Sequence, residues 1–522
     1  MKVLAKWAVG SLAMACLMAV AAQEQGAQPA PTYRITGVVV NSVNGRVLAQ
    51  TRVLVAAEDG SSGDREVTTG ADGRFAFEGM PAGVWRLSAE HKGFGRQVFE
   101  DRMISASSVI TGPDGASENL IFRLNPPSAI SGKVTDERGE PVPGAHLQLL
   151  MQIPGARKQF LVRKVTATDD QGEYRMWGLA AATCYLLVIV PLPAGGGGAE
   201  PNGFAPQYFP NTSDPRAATP IQLKPGEEFT ADFVLRRARG VSVEVEGDSG
   251  IRGANQSELL ALLSQGPAGA MVSSNTLAPG QGRTFYNVPP GRYKLVIGDV
   301  QGTFATTKWI EVGSEDVTVT LPFPDPPDVT AKVRVVDGDA SLLKKAMLRL
   351  YRYGDPGYNM RPLDPDGTAR FPAQAADRYV IDLRSEQLYI RSVSARNARV
   401  VDGQVELPET GAVDLEIVAG GDGAMVKGKV RANGKPARAV LVVLAPRKES
   451  GNPSDYSGYQ SESDGSFSFP GVRPGEYVLF ATTDWQLEFA SPAAIRPYLA
   501  AGKLVKAEAN KTVEVEIGPQ RP

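Results

Sequence analysis

Short runs in which apolar and polar residues alternate recur from one end of the chain to the other. In one such run Phe75 and Phe77 fall on one face of an extended strand, and Arg74 and Ala76 fall on the other. A period of two residues gives a strand one buried and one solvated face, as in antiparallel sheets packed as a sandwich. Alternating runs that would close a domain span residues 120–124, 229–233, 317–321, 413–417 and 513–517. Helical signals are confined to 491–501 and, more weakly, 257–264, so the pattern predicts an all-β protein.

An internal repeat divides these strands into five copies. In each copy a glycine-containing turn is followed, eleven to thirteen residues later, by an aromatic residue that opens an apolar strand. An Asp-Gly step suits a tight hairpin because glycine accepts a positive φ. The pairs are Gly73 and Trp85, Gly172 and Tyr185, Gly282 and Tyr293, Gly367 and Tyr379, and Gly465 and Tyr477. We expect the five aromatic residues to lie in the cores of five domains.

The repeat also sets the expected domain boundaries. Sandwich domains are predicted at 33–125, 126–237, 238–323, 324–418 and 419–518, of which the third and fourth are divergent. Lengths of about 85–110 residues are usual for independent domains. The 56 glycines and 39 prolines fit a chain with many turns. A Gly/Pro-rich insertion at 191–220 of the second domain is predicted to be a flexible loop.

The first, second and fifth copies carry most of a longer motif. It consists of a first strand with a central glycine (Gly37, Gly132 and Gly428), then Asp-Gly-x-Phe-x-Phe, then Pro and Gly shortly before Tyr or Trp. The fourth copy keeps the spacing but has Ala331 in place of that glycine. This motif resembles the carboxypeptidase regulatory-like domain, and the resemblance implies a transthyretin-like Greek-key sandwich of the carbohydrate-binding-like group. The fold class we expect is therefore a tandem array of about five Greek-key β-sandwich domains. Such modules occur in enzymes, transporters and adhesive proteins, so the resemblance implies no single activity.

The N-terminus has the composition of an export signal. Lys2 and Lys6 precede an apolar run over residues 7–22, in which Ala19-Val20-Ala21 offers a small-x-small cleavage pattern. We predict a signal peptide at 1–22 and an exported protein that is periplasmic, on the cell surface or secreted. A retained anchor is the alternative, but the run is short for a membrane span. No later segment is apolar enough to cross a bilayer.

The composition provides few groups for catalysis. The two histidines, His91 and His146, fall in different predicted domains, and Cys184 in its apolar run is expected to be a buried thiol. A zinc peptidase needs two histidines and a glutamate on one ion, which these positions cannot supply. The acidic residues beside the repeat glycines, such as Asp169 and Asp366, are predicted to serve turns rather than calcium. With a formal net charge of −2 and scattered cations, the sequence predicts no nucleic-acid partner, no metal site, no cofactor and no catalytic residue.

Aromatic residues outside the core pattern are the candidate ligand-binding residues. Tyr174 and Met176 should share the inward face of their strand. Trp177, which follows Met176 directly, should therefore face outward. Exposed rings on the loops of a rigid sandwich can stack on the apolar faces of sugars. The alternative is that these rings pack beneath their own loops or between domains. The candidate binding residues are Trp177, Tyr351, Tyr353, Tyr358, Tyr456, Tyr459 and Trp485, and the insertion adds the aromatic residues Phe204, Tyr208 and Phe209.

Three functions are compatible with these features. The leading one is a non-catalytic secreted or envelope binding protein whose partner is a polysaccharide, another envelope polymer or another protein, with carbohydrate binding as the main activity. The second is a structural spacer or scaffold without a small-ligand site. The third is an enzyme with an unrecognised pair of carboxylates, such as a glycosidase, but no pair in the sequence marks such a site.

Overall fold

Five β-sandwiches follow one another along the chain in the computed structural model. It describes residues 31–521 apart from 103–104, 153–159, 192–201, 215–216, 247–257, 265–270, 278–282, 300–304, 321–326, 353–358, 373 and 375. The predicted signal peptide lies outside the described residues. About 56% of the chain is strand and 4% is helix. The predicted tandem array of β-sandwiches is therefore confirmed.

The five sandwiches are called domains 1 to 5 below. Each consists of two main sheets, and domain 2 has an additional two-stranded sheet. Domain 1 contains β1 (Tyr33–Asn41), β2 (Arg52–Ala57), β3 (Arg65–Thr68), β4 (Arg74–Met80), β5 (Gly83–His91), β6 (Gly95–Val98), β7 (Val109–Thr111) and β8 (Leu120–Leu124). Domain 2 contains β9 (Ser128–Asp136), β10 (His146–Gln152), β11 (Phe160–Ala167), β12 (Glu173–Leu179), β13 (Ala182–Ile189), β14 (Asn202–Phe204), β15 (Gln207–Tyr208), β16 (Ile221–Leu223), β17 (Glu228–Thr230), β18 (Phe233–Leu235) and β19 (Arg237–Arg239). Domain 3 contains β20 (Val241–Glu246), β21 (Glu258–Ser264), β22 (Met271–Leu277), β23 (Thr284–Val288), β24 (Gly291–Asp299), β25 (Ala305–Val312) and β26 (Val317–Thr320).

The last two domains follow the same plan. Domain 4 contains β27 (Val329–Val336), β28 (Met347–Arg352), β29 (Met360–Pro362), β30 (Thr368–Phe371), β31 (Arg378–Arg384), β32 (Tyr389–Arg396), β33 (Arg399–Val401), β34 (Gln404–Glu406) and β35 (Val413–Gly420), with a 3-10 turn at Ala340–Lys345. Domain 5 contains β36 (Ala424–Ala432), β37 (Lys435–Pro436), β38 (Leu441–Pro446), β39 (Ser457–Gln460), β40 (Ser466–Val472), β41 (Gly475–Thr482), β42 (Lys503–Ala507), β43 (Thr512–Ile517) and β44 (Pro519–Gln520), with a 3-10 turn at Pro453–Asp455 and helix α1 (Pro492–Leu499). The boundaries at which one domain could be cut from the next stay a prediction.

The same strand pairing recurs in all five domains. The first strand of each lies inside the smaller sheet, antiparallel to the strand that follows the repeat turn and parallel to a strand near the domain's end. In domain 1 this sheet has the order β4-β1-β8, and in domain 5 β36 lies between β40 and β43. The larger sheet is mainly antiparallel, with the order β3-β2-β5-β6 in domain 1 and β39-β38-β41-β42 in domain 5. The core of each domain lies between its two sheets.

The central glycine of the first strand is required by close packing. A Cβ atom added to Gly428 would lie 1.7 Å from the carbonyl oxygen of Val515 and 2.8 Å from Cζ of Phe467. Both neighbours belong to the strands that pair with β36 on either side. Domain 4 has Ala331 at this position, and its antiparallel partner is the small residue Ala369 rather than an aromatic one. In the fourth copy the facing ring is therefore absent together with the glycine.

The acidic residues of the repeat turns bond to the backbone of their own turns. Gly465 has φ +78°, and Oδ1 of Asp464 accepts a hydrogen bond from Ser466 N at 2.9 Å. Equivalent bonds run to Asp72 from Arg74 N and to Asp366 from Thr368 N, and in domain 2 Asp169, two positions earlier in the turn, accepts from Gln171 N. Asp366 also accepts from Lys332 Nζ at 2.7 Å, and this bond is the main reason that its pKa falls to about 2. These carboxylates have the turn role that the sequence predicts.

The aromatic residue of the repeat lies in the core of its own domain, as predicted, in four domains but not in domain 2. Trp85, Tyr293, Tyr379 and Tyr477 lie in their own cores. In domain 2 the core position belongs to Cys184, which pairs with Ile221, while Tyr185 faces domain 3. The prediction of Tyr185 as a core residue of domain 2 is therefore wrong. Both faces of β13 are buried, so this strand is apolar throughout and alternation cannot reveal which residues point inward.

Domains 2 and 3 share one apolar cluster. Domain 2 contributes Leu150, Leu187, Ile189 and Tyr208, and domain 3 contributes residues such as Val243, Phe285 and Leu295. Tyr208 is 2% exposed, and Phe204 and Phe209 pack against the core of domain 2. The predicted flexible loop at 191–220 is therefore wrong for its described part, which includes β14 and β15. Its aromatic residues fold because the joint with domain 3 gives them apolar surface to cover.

The two helix predictions have different outcomes. Helix α1 occupies most of 491–501 as predicted, and its Ile495 and Tyr498 help to cover a second apolar cluster in domain 5. The weaker prediction at 257–264 is wrong, because β21 is a central strand hydrogen-bonded to both β22 and β24. Sheet pairing on both sides outweighs the helical propensity of its leucines. Within the described ranges, the helices are too short or too polar to traverse a bilayer.

Candidate functional site

Trp177 is the most exposed large apolar residue that the structure records. It follows Met176 on β12, its side chain points away from the core, and it is 67% exposed. Nζ of Lys164 lies 4.7 Å from the ring centroid and also donates a hydrogen bond to the Trp177 carbonyl oxygen. A cation over the indole face holds the ring in a defined orientation. The outward orientation predicted from parity is confirmed, and a binding role stays a prediction.

Trp309 is a second exposed indole, which the sequence interpretation missed. It lies on β25 of domain 3 and is 49% exposed, while its neighbours Ile310 and Val312 are buried. The guanidinium of Arg292 lies 4.8 Å from the ring centroid and pairs with Glu311 at 3.3 Å. The indole is therefore an apolar surface bordered by charged hydrogen-bonding groups. The alternation of Trp309 with Ile310 and Val312 is the signal that could have identified it.

The predicted aromatic group of domain 4 is described only in part. Tyr353 and Tyr358 lie outside the described residues. Tyr351, on β28, is half-buried, and the guanidinium of Arg349 lies 3.9 Å from its ring centroid. The structure therefore places one of the three tyrosines at a partly accessible position, next to a cation. Its binding role stays a prediction.

Tyr456 of domain 5 is a buried residue. Its ring lies in the cluster formed by Leu441, Phe480 and helix α1. Its hydroxyl accepts a hydrogen bond from Ser450 N at 3.0 Å and donates one to Ser450 O at 2.9 Å. The expectation that Tyr456 is an exposed ring on a loop is wrong, because these two bonds satisfy the hydroxyl and let the ring enter an apolar cluster.

The other aromatic candidates of domain 5 are also integrated into the fold. Tyr459 packs edge-on against Phe469, with 6.0 Å between ring centroids, and donates a hydrogen bond to Oε1 of Glu462 at 2.7 Å. Burial raises the pKa of the Tyr459 hydroxyl, and the charge of Glu462 adds to that rise. Trp485 is half-buried against the cluster beneath α1. The structure therefore does not bring the domain 5 candidates together on one open surface.

The histidines and the cysteine occupy separate places. His91 ends β5, where its Nδ1 lies 2.9 Å from the hydroxyl of Thr51, and His146 is exposed at the start of β10. Cys184 is buried, its thiol contacts the Ile221 carbonyl oxygen at 3.6 Å, and burial raises its pKa to about 12. Among the described residues, no three His, Cys, Asp or Glu side chains are grouped so that they could hold a metal ion.

One sequence family accounts for the first domain. Residues 34–125 match the family model of the carboxypeptidase regulatory-like domain. The match covers domain 1 and confirms there the resemblance stated on its motif. No curated protein matches the sequence.

Several solved structures are similar in parts. The Bacillus anthracis TIE protein is 8% identical, with 98% of this chain and 78% of that chain covered and a TM-score of 0.18. Two B repeat units of the collagen-binding protein of Staphylococcus aureus are 11% identical, with 75% and 100% covered and a TM-score of 0.13. The minor pilin GBS52 of Streptococcus agalactiae is 12% identical, with 40% and 97% covered and a TM-score of 0.21. At these TM-scores the likeness supports no argument about function.

Proposed function

We propose that this chain is an exported, non-catalytic binding protein that recognises carbohydrate through exposed tryptophans on rigid β-sandwiches. The observation that carries the proposal is the pair Trp177 and Trp309. Each indole stands on the outer face of a sheet, and each has a cation close to its ring. Large aromatic residues are usually mostly buried, so two that are 67% and 49% exposed need a reason beyond folding.

The chemistry around each ring suits a sugar. An indole face offers a flat apolar surface for the C–H groups of a pyranose, and the neighbouring ammonium or guanidinium can donate hydrogen bonds to its hydroxyls. Arg292 and Glu311 place a donor and an acceptor beside Trp309. Because both rings lie on strands, they keep their orientation without a ligand, which reduces the entropy lost on binding.

Two weak sites on one chain would reinforce each other on a polymer. Linking two sites can raise the overall affinity by about 10²–10⁴ when one ligand reaches both. Domains 2 and 3 share an apolar cluster, which limits the motion of Trp177 relative to Trp309. A long polysaccharide is therefore a better ligand class than a short sugar.

The experiment is a binding assay on soluble and insoluble glycans with the wild type, Trp177→Ala, Trp309→Ala and the double variant. We expect each single substitution to weaken binding of a soluble polymer about tenfold, which corresponds to about 1.4 kcal/mol. Leu504→Ala is the matched control, since Leu504 is an apolar strand residue that is 61% exposed in domain 5. Binding that persists in the double variant would move the site elsewhere, with Tyr351 the next position to test. A wild type that binds none of the glycans would refute carbohydrate recognition.

A structural scaffold is the second candidate. The observation that favours it is the number of interdomain contacts, which join domain 2 to 3, domain 4 to 5 and domain 5 to 1. A scaffold needs fixed geometry and no ligand site. Small-angle scattering that shows one compact shape in the glycan-free protein, together with absent glycan binding, would support it.

A further inference from the structure

Domains 1 and 5 are in contact although they lie at opposite ends of the described chain. Residues 99–102 and 105–110 of domain 1, which include the start of β7, meet residues 460–463 of domain 5, which connect β39 to β40. Ser463 N donates a hydrogen bond to Ser108 O at 3.0 Å, and Ser107 Oγ donates to Ser461 O at 2.8 Å. Ile110 N donates to Ser463 Oγ at 3.0 Å. The residues joined by these bonds are about 354 positions apart in sequence.

Polar groups also make up the border of this contact. Nε2 of Gln460 donates to the carbonyl oxygen of Glu100 at 2.7 Å. Nε of Arg438 donates to Oε1 of Glu100 at 3.1 Å, and its guanidinium lies 5.4 Å from the ring centroid of Phe99. Among the described residues, the apolar clusters of the two domains remain separate. Hydrogen bonds and one ion pair therefore hold this interface, without a shared core.

Glu462 lies at the centre of the contact and is only 9% exposed. Its Oε2 accepts a hydrogen bond from Ser108 N, and its Oε1 accepts one from the Tyr459 hydroxyl. The hydroxyl of Ser108 donates to Oε2 of Glu58 at 3.1 Å. One serine of domain 1 therefore bonds to two carboxylates, one from each domain.

The turn of domain 5 does not need the side chain of Glu462. Asp464 already bonds to the backbone of this turn through Ser466 N. The position equivalent to Glu462, three residues before the repeat glycine, is Asp169 in domain 2, where the side chain bonds only within its own turn. In domain 5 the longer glutamate side chain reaches into domain 1 instead. The acid at this position bonds across the interface through Oε2 and to Tyr459 of its own domain through Oε1.

Closing the interface buries the carboxylate of Glu462 close to other acidic groups. Burial raises the pKa of Glu462 and outweighs the hydrogen bonds from Tyr459 and Ser108, which lower it, and the nearby charges of Glu58 and Asp464 add to the rise. Glu58 is paired with Arg86 at 3.7 Å, and Asp464 is paired with Lys429 at 3.3 Å. Glu100, at the border of the contact, is paired with Arg438 across the interface and with Arg102 of its own domain. A fully ionised Glu462 is better hydrated in an open interface than buried in a closed one.

We propose that domains 1 and 5 form a releasable head-to-tail clasp, closed by the hydrogen bonds around Ser108 and loosened when Glu462 carries its full charge. Opening exposes polar groups that regain hydrogen bonds to water, so the free-energy difference between the two states is small. The chain therefore alternates between a closed form and an open form while each domain stays folded. This inference does not depend on carbohydrate binding.

The test is hydrogen–deuterium exchange of the full chain at single-amide resolution. The amide of Ser108 is held by Glu462, whereas the amide of Ile110 is held by Ser463. We expect Glu462→Ala to accelerate exchange at both amides by about tenfold, because the buried amide of Ser108 loses its acceptor and the whole clasp opens. Glu514→Ala, which removes an exposed acid of the same domain, should leave both rates unchanged.

Glu462→Gln sharpens the result, because the amide keeps an acceptor for Ser108 N without a charge. In Glu462→Gln, the protection of the Ile110 amide against hydrogen exchange should stay constant between pH 5 and pH 8 after correction for intrinsic exchange. In the wild type this protection should fall as the pH rises. Acceleration confined to Ser108 in Glu462→Ala would mean that only a local bond is lost, and would overturn the clasp. Protection that grows with protein concentration would show a contact between chains and would overturn it as well.

Discussion

Two interdomain contacts in this molecule have opposite chemistry. Domains 2 and 3, which are neighbours in sequence, share an apolar cluster that includes Leu187, Tyr208 and Phe285. Domains 1 and 5, which are distant in sequence, meet through serine hydroxyls, backbone groups and the buried carboxylate of Glu462. The first contact resembles the interior of a domain, and the second resembles a transient protein interface.

The difference determines what each contact can do. Separating domains 2 and 3 would expose apolar side chains to water, at a free-energy cost of about 25 cal/mol for each Å² of apolar surface. Separating domains 1 and 5 would exchange hydrogen bonds to protein for hydrogen bonds to water, which changes the free energy much less. We infer that domains 2 and 3 unfold as one unit and that domains 1 and 5 can part while both stay folded.

The largest expected effect is at the apolar contact. Tyr208→Ala should lower the free energy of unfolding of domains 2 and 3 together by about 3–5 kcal/mol, the usual cost of emptying a large aromatic site. Calorimetry or denaturant unfolding of the full chain measures it. Tyr208→Phe is the control and should change stability by less than about 1 kcal/mol, because the buried hydroxyl makes no hydrogen bond within the described protein. Separate transitions for domains 2 and 3 would contradict the shared core.

A second substitution separates the stability of domain 5 from that of the clasp. Tyr456→Ala removes a buried ring beneath α1 and should destabilise domain 5 by about 3 kcal/mol. Glu462→Ala, measured the same way, should cost domain 5 less than about 1 kcal/mol. Equal losses for the two variants would mean that Glu462 supports the fold of domain 5 itself.

The next effect is the dependence of the clasp on pH. Because the pKa of Glu462 is raised in the closed form, that form binds the proton more tightly than the open one. Closure is therefore strongest near or below the ordinary glutamate pKa of 4.5 and weakens as the pH rises through the raised value. Small-angle scattering should show a larger radius of gyration at pH 8 than at pH 5, and no such change in Glu462→Gln. A radius that shrinks as the pH rises would reverse the assigned sign.

The smallest effect concerns salt. Arg438 and Glu100 are partly exposed, so their attraction is screened and is worth about 0.2–1 kcal/mol. Raising the ionic strength from about 0.05 to 0.5 M should lower protection at Ile110 two- to threefold, and Arg438→Gln should remove most of that dependence. Arg447→Gln, which breaks an exposed pair with Glu476, is the control. The unfolding transition of domains 2 and 3 should not weaken over the same range, because screening does not reduce apolar burial.

Much of the fold could be predicted because a strand with one buried face shows alternating apolar and polar residues in the sequence. The positions of Phe75, Phe77 and Trp177 follow directly from the parity of their strands. Tyr185 could not be placed, because a strand buried on both faces shows no alternation. The strand at β21 was mistaken for a helix because its leucines carry no period-two signal, and its pairing partners are distant in sequence.

The candidate site was harder to predict because exposure depends on tertiary contacts. Tyr456 has polar neighbours in sequence, yet Ser450 bonds to its hydroxyl and the ring is buried. Trp309 alternates with buried residues and could have been found by the parity argument that identified Trp177. The contact of Glu462 with Ser108 is beyond such reasoning, since no local pattern relates two loops so far apart in the chain.

The cysteine at the core position of domain 2 is a natural probe of how often its surroundings open to solvent. A thiol that is buried and has a pKa of about 12 stays protonated and out of reach of alkylating reagents in the folded state. Labelling of Cys184 can therefore proceed only through molecules in which domain 2 has opened. The rate of Cys184 labelling would report how often the unit formed by domains 2 and 3 opens, without an introduced probe.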